Sequence, residues 1–337
     1  MIFKTYNTIE NAYQARMIDQ IRMQGFGDEV FIVQEKVHGA NLSFFTDGKE
    51  IKMAKRTAFI EQDEKFYNAH DILERYRKNV IHIFEKVKAV YPDMETVVIY
   101  GELFGGGYKH KEVAPVKDAI KVQKGIEYAP HNEFYGFDIK LNGTTYLDTD
   151  LANQIFEETG FFYAKILFHG TLEEALKFPN AFGSKIPAWL GLPEIEDNMC
   201  EGTIVKTLKT RYFGNGARII LKNKNEKWTE KSKVVRKERP VRKDVHFSGK
   251  AREIWEEIRN YVTVNRLNNV ISKTGEFEPE MMGKIIGLFS QDVLEDFEKD
   301  FPEAFAAIEK DEQKRINKKL NSLVIDLVKQ ELMTLKI

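Results

Sequence analysis

The amino-acid sequence predicts an α+β fold followed by a small all-helical domain. Three observations carry that expectation. Short runs rich in β-branched and aromatic residues fill the first two-thirds, helical spacing of apolar residues takes over after His246, and a basic, apolar-poor stretch separates the two. The 337 residues suit about two domains at roughly 150 residues each.

The strands come first. Val30–Lys36, Asn41–Thr46, Thr96–Phe104, Glu133–Lys140, Gly202–Leu208 and Ala217–Lys222 combine β-formers with partial apolar/polar alternation, the mark of half-buried strands. One helix interrupts them. Ile72, Leu73, Tyr76, Val80, Ile83, Phe84 and Val87 recur at helical spacing, and Pro92 stands just past the end. Strands with scattered helices point to α+β rather than a regular βαβ winding. From Lys222 to Lys243 ten Lys/Arg face three Asp/Glu, which reads as a solvated hinge or as a strap that touches phosphate. Beyond it, Ile254, Trp255, Ile258, Tyr261, Val262 and Leu267 form one amphipathic segment, with others over Met281–Phe297 and Glu303–Met333. The expected division is 1–237 for the strand-rich domain, 238–247 for a basic linker and 248–337 for the helical domain.

Charge and cysteine content exclude several classes. Fifty-one Lys/Arg against 52 Asp/Glu give a net charge of −1, so the chain is not a uniformly basic nucleic-acid coat protein. One cysteine, Cys200, excludes an internal disulfide and a multi-cysteine zinc site. No apolar run reaches the length of a membrane span or a signal peptide. A cytoplasmic protein is expected.

Chemistry begins at Glu35-Lys36-Val37-His38-Gly39-Ala40-Asn41, where a strand ends in lysine and glycine follows three residues later. A strand-end lysine facing a pocket serves as a nucleophile when its charge is suppressed. The same pattern also describes a surface lysine before a turn. Further segments stand after it: Lys55-Arg56-Thr57, Tyr100–Phe104 with Glu102 inside a β run, Phe137-Asp138, Glu201–Lys206, and Lys222-Asn223-Lys224, whose alternating lysines share one sheet face.

In that order these segments resemble the covalent nucleotidyltransferase superfamily of ATP-dependent polynucleotide ligases and capping enzymes. The likeness sharpens at Glu35–Asn41, Ala54–Thr57 and Tyr261–Lys273, where the sequence resembles the bacteriophage RNA ligase 2 family and its trypanosomal RNA-editing relatives. The resemblance covers almost the whole chain. It implies a nucleotidyltransferase domain of antiparallel sheets with flanking helices and an enzyme that joins RNA 3′-hydroxyl and 5′-phosphate ends in a nicked duplex. It also implies ATP as co-substrate, Mg²⁺ or Mn²⁺ as cofactor, RNA as partner and no membrane. The protein is expected to be a monomer, in a host cytoplasm if phage-encoded.

The resemblance assigns roles residue by residue. Lys36 is the AMP-lysine. Lys222 and Lys224 neutralise phosphate and crowd the nucleophile with positive charge. Glu201, and Glu102 through water, are candidates for the metal, although Glu102 also suits a ribose hydroxyl. Phe137 would stack on adenine, or pack in the core. Glu35 and Val37 line the nucleotide pocket, while Asn41, Arg56 and Lys206 suit ribose or phosphate. His38 is a candidate for later steps. Asp138, next to Phe137, should face away from it by strand alternation and either orients Lys36 or caps a polar network. Gly105-Gly106-Gly107 is expected as a turn, since no phosphate-loop pattern accompanies it. In the tail, Arg266 is a candidate phosphate binder, and Asp292 belongs to the later steps or caps the helix over Val293–Phe297.

Other readings remain at this point. A DNA ligase or capping enzyme shares the pocket but usually continues into a strand-rich domain, where this chain turns helical. An RNA-binding protein without catalysis would lack a catalytic group, yet Lys36, Glu102 and Glu201 are all present. An adaptor built on the basic stretch leaves the ordered motifs unexplained.

Overall fold

The apolar alternation of the first two-thirds resolves into two five-stranded sheets in a computed structural model. It describes residues 1–229, 247, 249–275 and 279–334. In chain order the elements of the first part are β1 (Glu10–Asn11), α1 (Ala15–Met23), β2 (Phe31–Lys36), β3 (Ala40–Thr46), β4 (Ile51–Lys55) and α2 (Ala69–Val90). Next come β5 (Val97–Gly107), β6 (Ala129–Leu141), β7 (Thr145–Tyr146), α3 (Thr149–Glu158), β8 (Ile166–Gly170), α4 (Leu172–Lys177), α5 (Ile186–Trp189), β9 (Gly202–Thr207) and β10 (Ile220–Lys224). The first sheet runs β1-β10-β9-β2-β8 and the second β4-β3-β5-β6-β7; every pairing is antiparallel except β1 with β10.

Each sheet hides one face under helices. The apolar stripe of α2 (Ile72, Val80, Ile83, Val87) and Ile155 and Phe156 of α3 cover Leu42, Phe44, Ile99 and Ile139 of the second sheet. Phe134 lies wholly inside that layer, its ring 4.8 Å from Phe44, so truncating it to alanine costs about 3–5 kcal/mol. Helix α2 stops at Tyr91 because Pro92 disfavours the helical conformation in the residue before it. On the first sheet Phe31, Val33, Val205 and Leu221 pack under Ile18 and Ile21 of α1 and Leu172 and Ala175 of α4. The second sheet's other face carries an aromatic cluster of Tyr6, Phe45, Tyr100 and Tyr146.

Two expectations change here. Gly105–Gly107 is no turn: β5 continues to Gly107, and a register irregularity between Gly105 and Gly107 absorbs the glycines within the pairing to β6. The strand alternation expected at Asp138 also fails. β6 bulges there, pairing Gly136 with Gly101 and Asp138 with Tyr100, which leaves Phe137 as the extra residue. A bulge turns neighbouring side chains toward one face. Both Phe137 and Asp138 accordingly contact Tyr6.

The chain divides into two compact units, Met1–Lys227 and Trp228–Ile337. The second holds α6 (Gly249–Ile258), α7 (Val264–Thr274), α8 (Met282–Asp300) and α9 (Lys310–Thr334), packed around Trp255, Leu267, Phe289, Phe297 and Leu320. The single helix expected over Ile254–Leu267 is broken. A 3₁₀ turn spans Arg259–Tyr261, and the Thr263 side chain then accepts the Arg266 N–H, capping a new helix. Asp292 lies inside α8, so it caps nothing. Of the linker expected at 238–247, all but Phe247 falls outside the described residues, as does the basic stretch from Glu230 to His246.

Candidate active site

Strand register assembles the site. Across β2, β9 and β10 one row contains Lys36, Gly202 and Lys224, and the next on the same face contains Gln34, Ile204 and Lys222. Gly202 is required where it stands: its φ is +147°, and a Cβ there would lie 2.2 Å from the Asn223 carbonyl oxygen. The residue before it, Glu201, is therefore delivered between two lysines. Lys36 Nζ donates to Glu201 Oε2 at 2.7 Å, and Lys224 Nζ lies 3.0 Å from Oε1. His38 Nδ1 is 3.9 Å from Oε2. Glu201 is 1% exposed. Burial alone would raise its carboxyl, but Lys36 and Lys224 outweigh burial and lower it to about 2. One carboxylate against two lysines leaves the row net positive.

The second sheet supplies the opposite wall. Gly39, three residues after Lys36, crosses β5 so closely that a Cβ would sit 2.3 Å from the Leu103 carbonyl oxygen. That contact places the Gly39 N–H on Glu102. Asn41 pairs with Glu102 across β3 and β5 and donates from Nδ2 to the Gly101 carbonyl at 3.3 Å. Burial raises the Glu102 carboxyl to about 7, against the pull of Lys36 and of Arg56. The backbone N–H of His38 donates to the Tyr128 hydroxyl at 3.0 Å, and Val37 is buried in the same turn. Arg56, just after β4, is half-buried and donates to the Asn7 carbonyl at 3.5 Å.

Phe137 is half-buried, its ring edge-on to Tyr6 with centroids 5.1 Å apart. Its carbonyl accepts from Lys206 at 3.2 Å. Asp138 is the hub of a closed network: Arg218 donates to both carboxylate oxygens at 2.7 and 3.0 Å, Lys206 at 3.0 Å and Tyr6 at 2.5 Å. Asp138 thus caps a polar network and makes no contact with Lys36. Burial lowers the Lys206 ammonium to about 8 even with Asp138 beside it.

Several sequence-predicted residues stand apart from this centre. The Glu35 side chain leaves β2 on the face opposite Lys36 and accepts from Ser184 Oγ at 2.6 Å and from the Lys185 N–H at 2.8 Å. Its carboxyl, pushed up to about 7 by burial, is turned away from the lysine row. Lys206 is 1% exposed and held by Asp138, so here it supports the floor of the site. In the second unit Arg266 is likewise 1% exposed, donating to Asp292 at 2.5 Å, Asp296 at 2.9 Å and the Tyr261 carbonyl at 3.0 Å. Asp292 also accepts from Lys273 at 2.7 Å. Both belong to an ion-pair network that ties α7 to α8.

Sequence reasoning missed Tyr6, Arg218, Tyr128, Ser184 and Ile204. Ser184 meets Glu35 across 149 positions of chain, and no local pattern marks such a partner. Ile204 had a signal: two residues after Gly202 on β9, it must share the Lys36 face.

Two carboxylates in this setting offer oxygen donors that suit Mg²⁺ or Mn²⁺. Among the described residues no group of three or more His, Cys, Asp or Glu side chains could hold a metal by itself. The donors fit an ion that arrives with phosphate and water as its remaining ligands.

A family model described as RNA ligase matches residues 29–224, and one described as T4 RNA ligase 2 C-terminal matches residues 245–325. The mitochondrial RNA-editing ligase 2 of Trypanosoma brucei brucei is 30% identical over 349 aligned positions, covering 89% of this chain and 84% of that protein. RNA-editing ligase 1 of the same organism, also mitochondrial, is 24% identical, covering 88% and 76%. Among solved structures, the Naegleria gruberi RNA ligase with PPi aligns at a TM-score of 0.44 and 16% identity over 68% of this chain, and a variant of it with ATP and Mn aligns equally at 0.44. This chain spans 58% of those solved chains. By the match over residues 29–224 and the likeness to the editing ligases along nearly its whole length, the chain belongs to the RNA ligase family, in the branch of RNA ligase 2.

Proposed function

We propose that the protein seals RNA with ATP through a lysyl-AMP intermediate on Lys36. The observation that carries this reading is the lysine row around Glu201, with the nucleophile candidate at a strand end and a second cation 3.0 Å from the same carboxylate. The net positive row suits a triphosphate. Lys36 Nζ attacks the α-phosphorus as a free amine; the P–N bond forms, the P–O bond to pyrophosphate breaks and the amine proton leaves. An RNA 5′-phosphate oxygen then takes the AMP from nitrogen. Last, the 3′-hydroxyl attacks the activated 5′-phosphorus and expels AMP. Lys222 and Lys224 neutralise phosphate charge. Phe137 offers a flat face to adenine, with Ile204 on the first sheet a candidate for the other side. Asn41, Glu102 and Arg56 hold ribose and phosphate. When bound, the divalent ion supplies further charge neutralisation at the leaving group.

The substrate in this reading is a nicked RNA duplex bound by a monomer, with residues up to Lys227 forming the adenylation domain and the helical unit serving sealing. Among the described residues no helix is long and apolar enough to cross a membrane. Incubation with ATP and Mg²⁺ followed by mass mapping tests the central step. AMP should appear on the peptide that contains Lys36 and vanish in Lys36→Ala and Lys36→Arg, because neither offers an amine that deprotonates near neutral pH. Covalent AMP at wild-type level on either variant would refute it.

A further inference from the structure

Residues 108–128 join β5 to β6 without a helix or strand of their own. Loops of that length inside a compact unit are uncommon and usually functional. This one is anchored rather than loose. Asn132 Oδ1 accepts the Ile120 N–H at 2.9 Å, and Asn132 Nδ2 donates to the Ile120 carbonyl at 2.7 Å. The Gly105 N–H donates to Gln123 at 3.0 Å, and Asn68 donates to the Asp118 carbonyl at 2.8 Å. The Tyr128 hydroxyl at its far end is the group that receives the His38 N–H.

The loop's surface chemistry is one-sided. Between Tyr108 and Gly125 stand Lys109, Lys111, Lys117, Lys121 and Lys124 against Glu112 and Asp118, in a chain whose net charge is −1. All five lysines are exposed. Lys121 is tied to Glu127 at 2.7 Å; the other four have no acidic partner among the described residues. The patch joins the site at one end. Lys227, three residues beyond Lys224, donates from Nζ to the Gly125 carbonyl at 3.1 Å, which sets it beside Lys124. From the Glu201 centre the cations therefore run through Lys224, Lys227 and Lys124 into the loop.

We infer that this run is a phosphate track for the RNA strand on which the site acts, built on the catalytic unit itself. The inference rests on the ligase reading above. A polynucleotide fits because it carries one phosphate charge per nucleotide, which suits several exposed lysines on one loop. Exposed lysines hold phosphates as point charges without reading sequence. The contacts release counterions, so they appear in the salt dependence of binding.

The experiment uses the full-length protein and a fluorescent nicked RNA duplex, with binding measured from 50 to 200 mM salt. The variants are Lys124→Ala with Lys227→Ala, Lys109→Ala with Lys111→Ala, and Lys124→Arg with Lys227→Arg. Each alanine pair should weaken binding at low salt and reduce the slope of log K against log salt by about 2, or about 1 per lysine. The arginine pair should retain the wild-type slope. Protein adenylation with ATP alone, which needs no RNA, should be unchanged in all three. Wild-type slopes in both alanine pairs would overturn the track while leaving the ligase reading intact. A wild-type protein that binds the duplex but never takes AMP would overturn the ligase reading, and the slopes would still decide the track.

Discussion

Replacing Asp138 with asparagine is the sharpest test of how the floor of the site is held. Asp138 is 1% exposed and neutralises two buried cations, Arg218 and Lys206. Asparagine fills the same space but leaves both without a counter-charge. Breaking a buried pair in this way costs about 3–5 kcal/mol. In a unit of this size each kcal/mol moves the melting temperature by roughly 2–4 °C, so a drop of roughly 6–20 °C is expected. The two cations differ in a way that gives the loss a pH signature. Arg218 stays charged at any workable pH, whereas Lys206 already sits near 8. At pH 6 the wild-type pair is intact and the variant must neutralise or bury a bare ammonium; at pH 9 Lys206 is largely uncharged in both proteins. The deficit should therefore shrink from pH 6 to pH 9. Lys206→Met added to Asp138→Asn should recover part of the loss at pH 6 and little at pH 9. Protein adenylation should fall with Asp138→Asn, since the Phe137 carbonyl is a Lys206 acceptor and the Phe137 ring lies against Tyr6. Thermal melts across that pH range decide it: a shift below about 2 °C, or a deficit that grows toward pH 9, would refute the reasoning.

Lys222→Ala and Lys224→Ala should each slow adenylation by roughly 10²-fold and move its pH dependence upward, as read in single-turnover rates; unchanged profiles for both would count against their role. Gly39→Ala should cost about 1–3 kcal/mol of stability and most of the adenylation rate, because its Cβ would press on the Leu103 carbonyl at 2.3 Å. Gly27→Ala, with nothing within 4 Å of the added carbon, is the control and should leave the rate unchanged. A fragment of residues 1–247 should still form lysyl-AMP but seal a nicked RNA duplex poorly, with the greatest loss in AMP transfer to the 5′-phosphate; sealing at the full-length rate would remove the helical unit from that step.

What was legible in the sequence follows the range of the interactions. The strands from Phe31 to Lys36 and from Ala40 to Thr46 announce themselves because each strand's own side chains set its pattern. The shared face of Lys222 and Lys224 was visible because lysines two apart on a strand point the same way, whereas Lys36 joins that face only through the register of β2, β9 and β10. The bulge at Phe137 was not, since it arises from how two strands pair and leaves no mark in the alternation of one. Short elements such as β8 and α4 also escaped, because Phe168, Leu172 and Ala175 find their packing partners only in the completed fold, and the two residues of β1 carry no apolar pattern at all. At Glu35 and Arg266 the residue type was informative and the direction was not. A strand places Glu35 on the far face from its neighbour, and α8 offers Arg266 two acids from a distant part of the chain.

The same arrangement, one buried carboxylate between two cations, occurs twice in the catalytic unit, and the difference between the two separates chemistry from support. Around Asp138 the side chains of Arg218 and Lys206 are 1% and 2% exposed. One partner can never give up its proton, so the charge is permanent and the centre is shut. Around Glu201 both partners are lysines, with side chains 20% and 10% exposed. Both keep some exposure where the partners of Asp138 have almost none. A nucleophile needs that second environment, because it must be held in place and still be able to leave its counter-ion. Gly202 and Gly39 make it possible by removing a Cβ where backbone crosses backbone, which lets the Glu201 carboxylate and the Glu102 wall close on Lys36 without sealing it in.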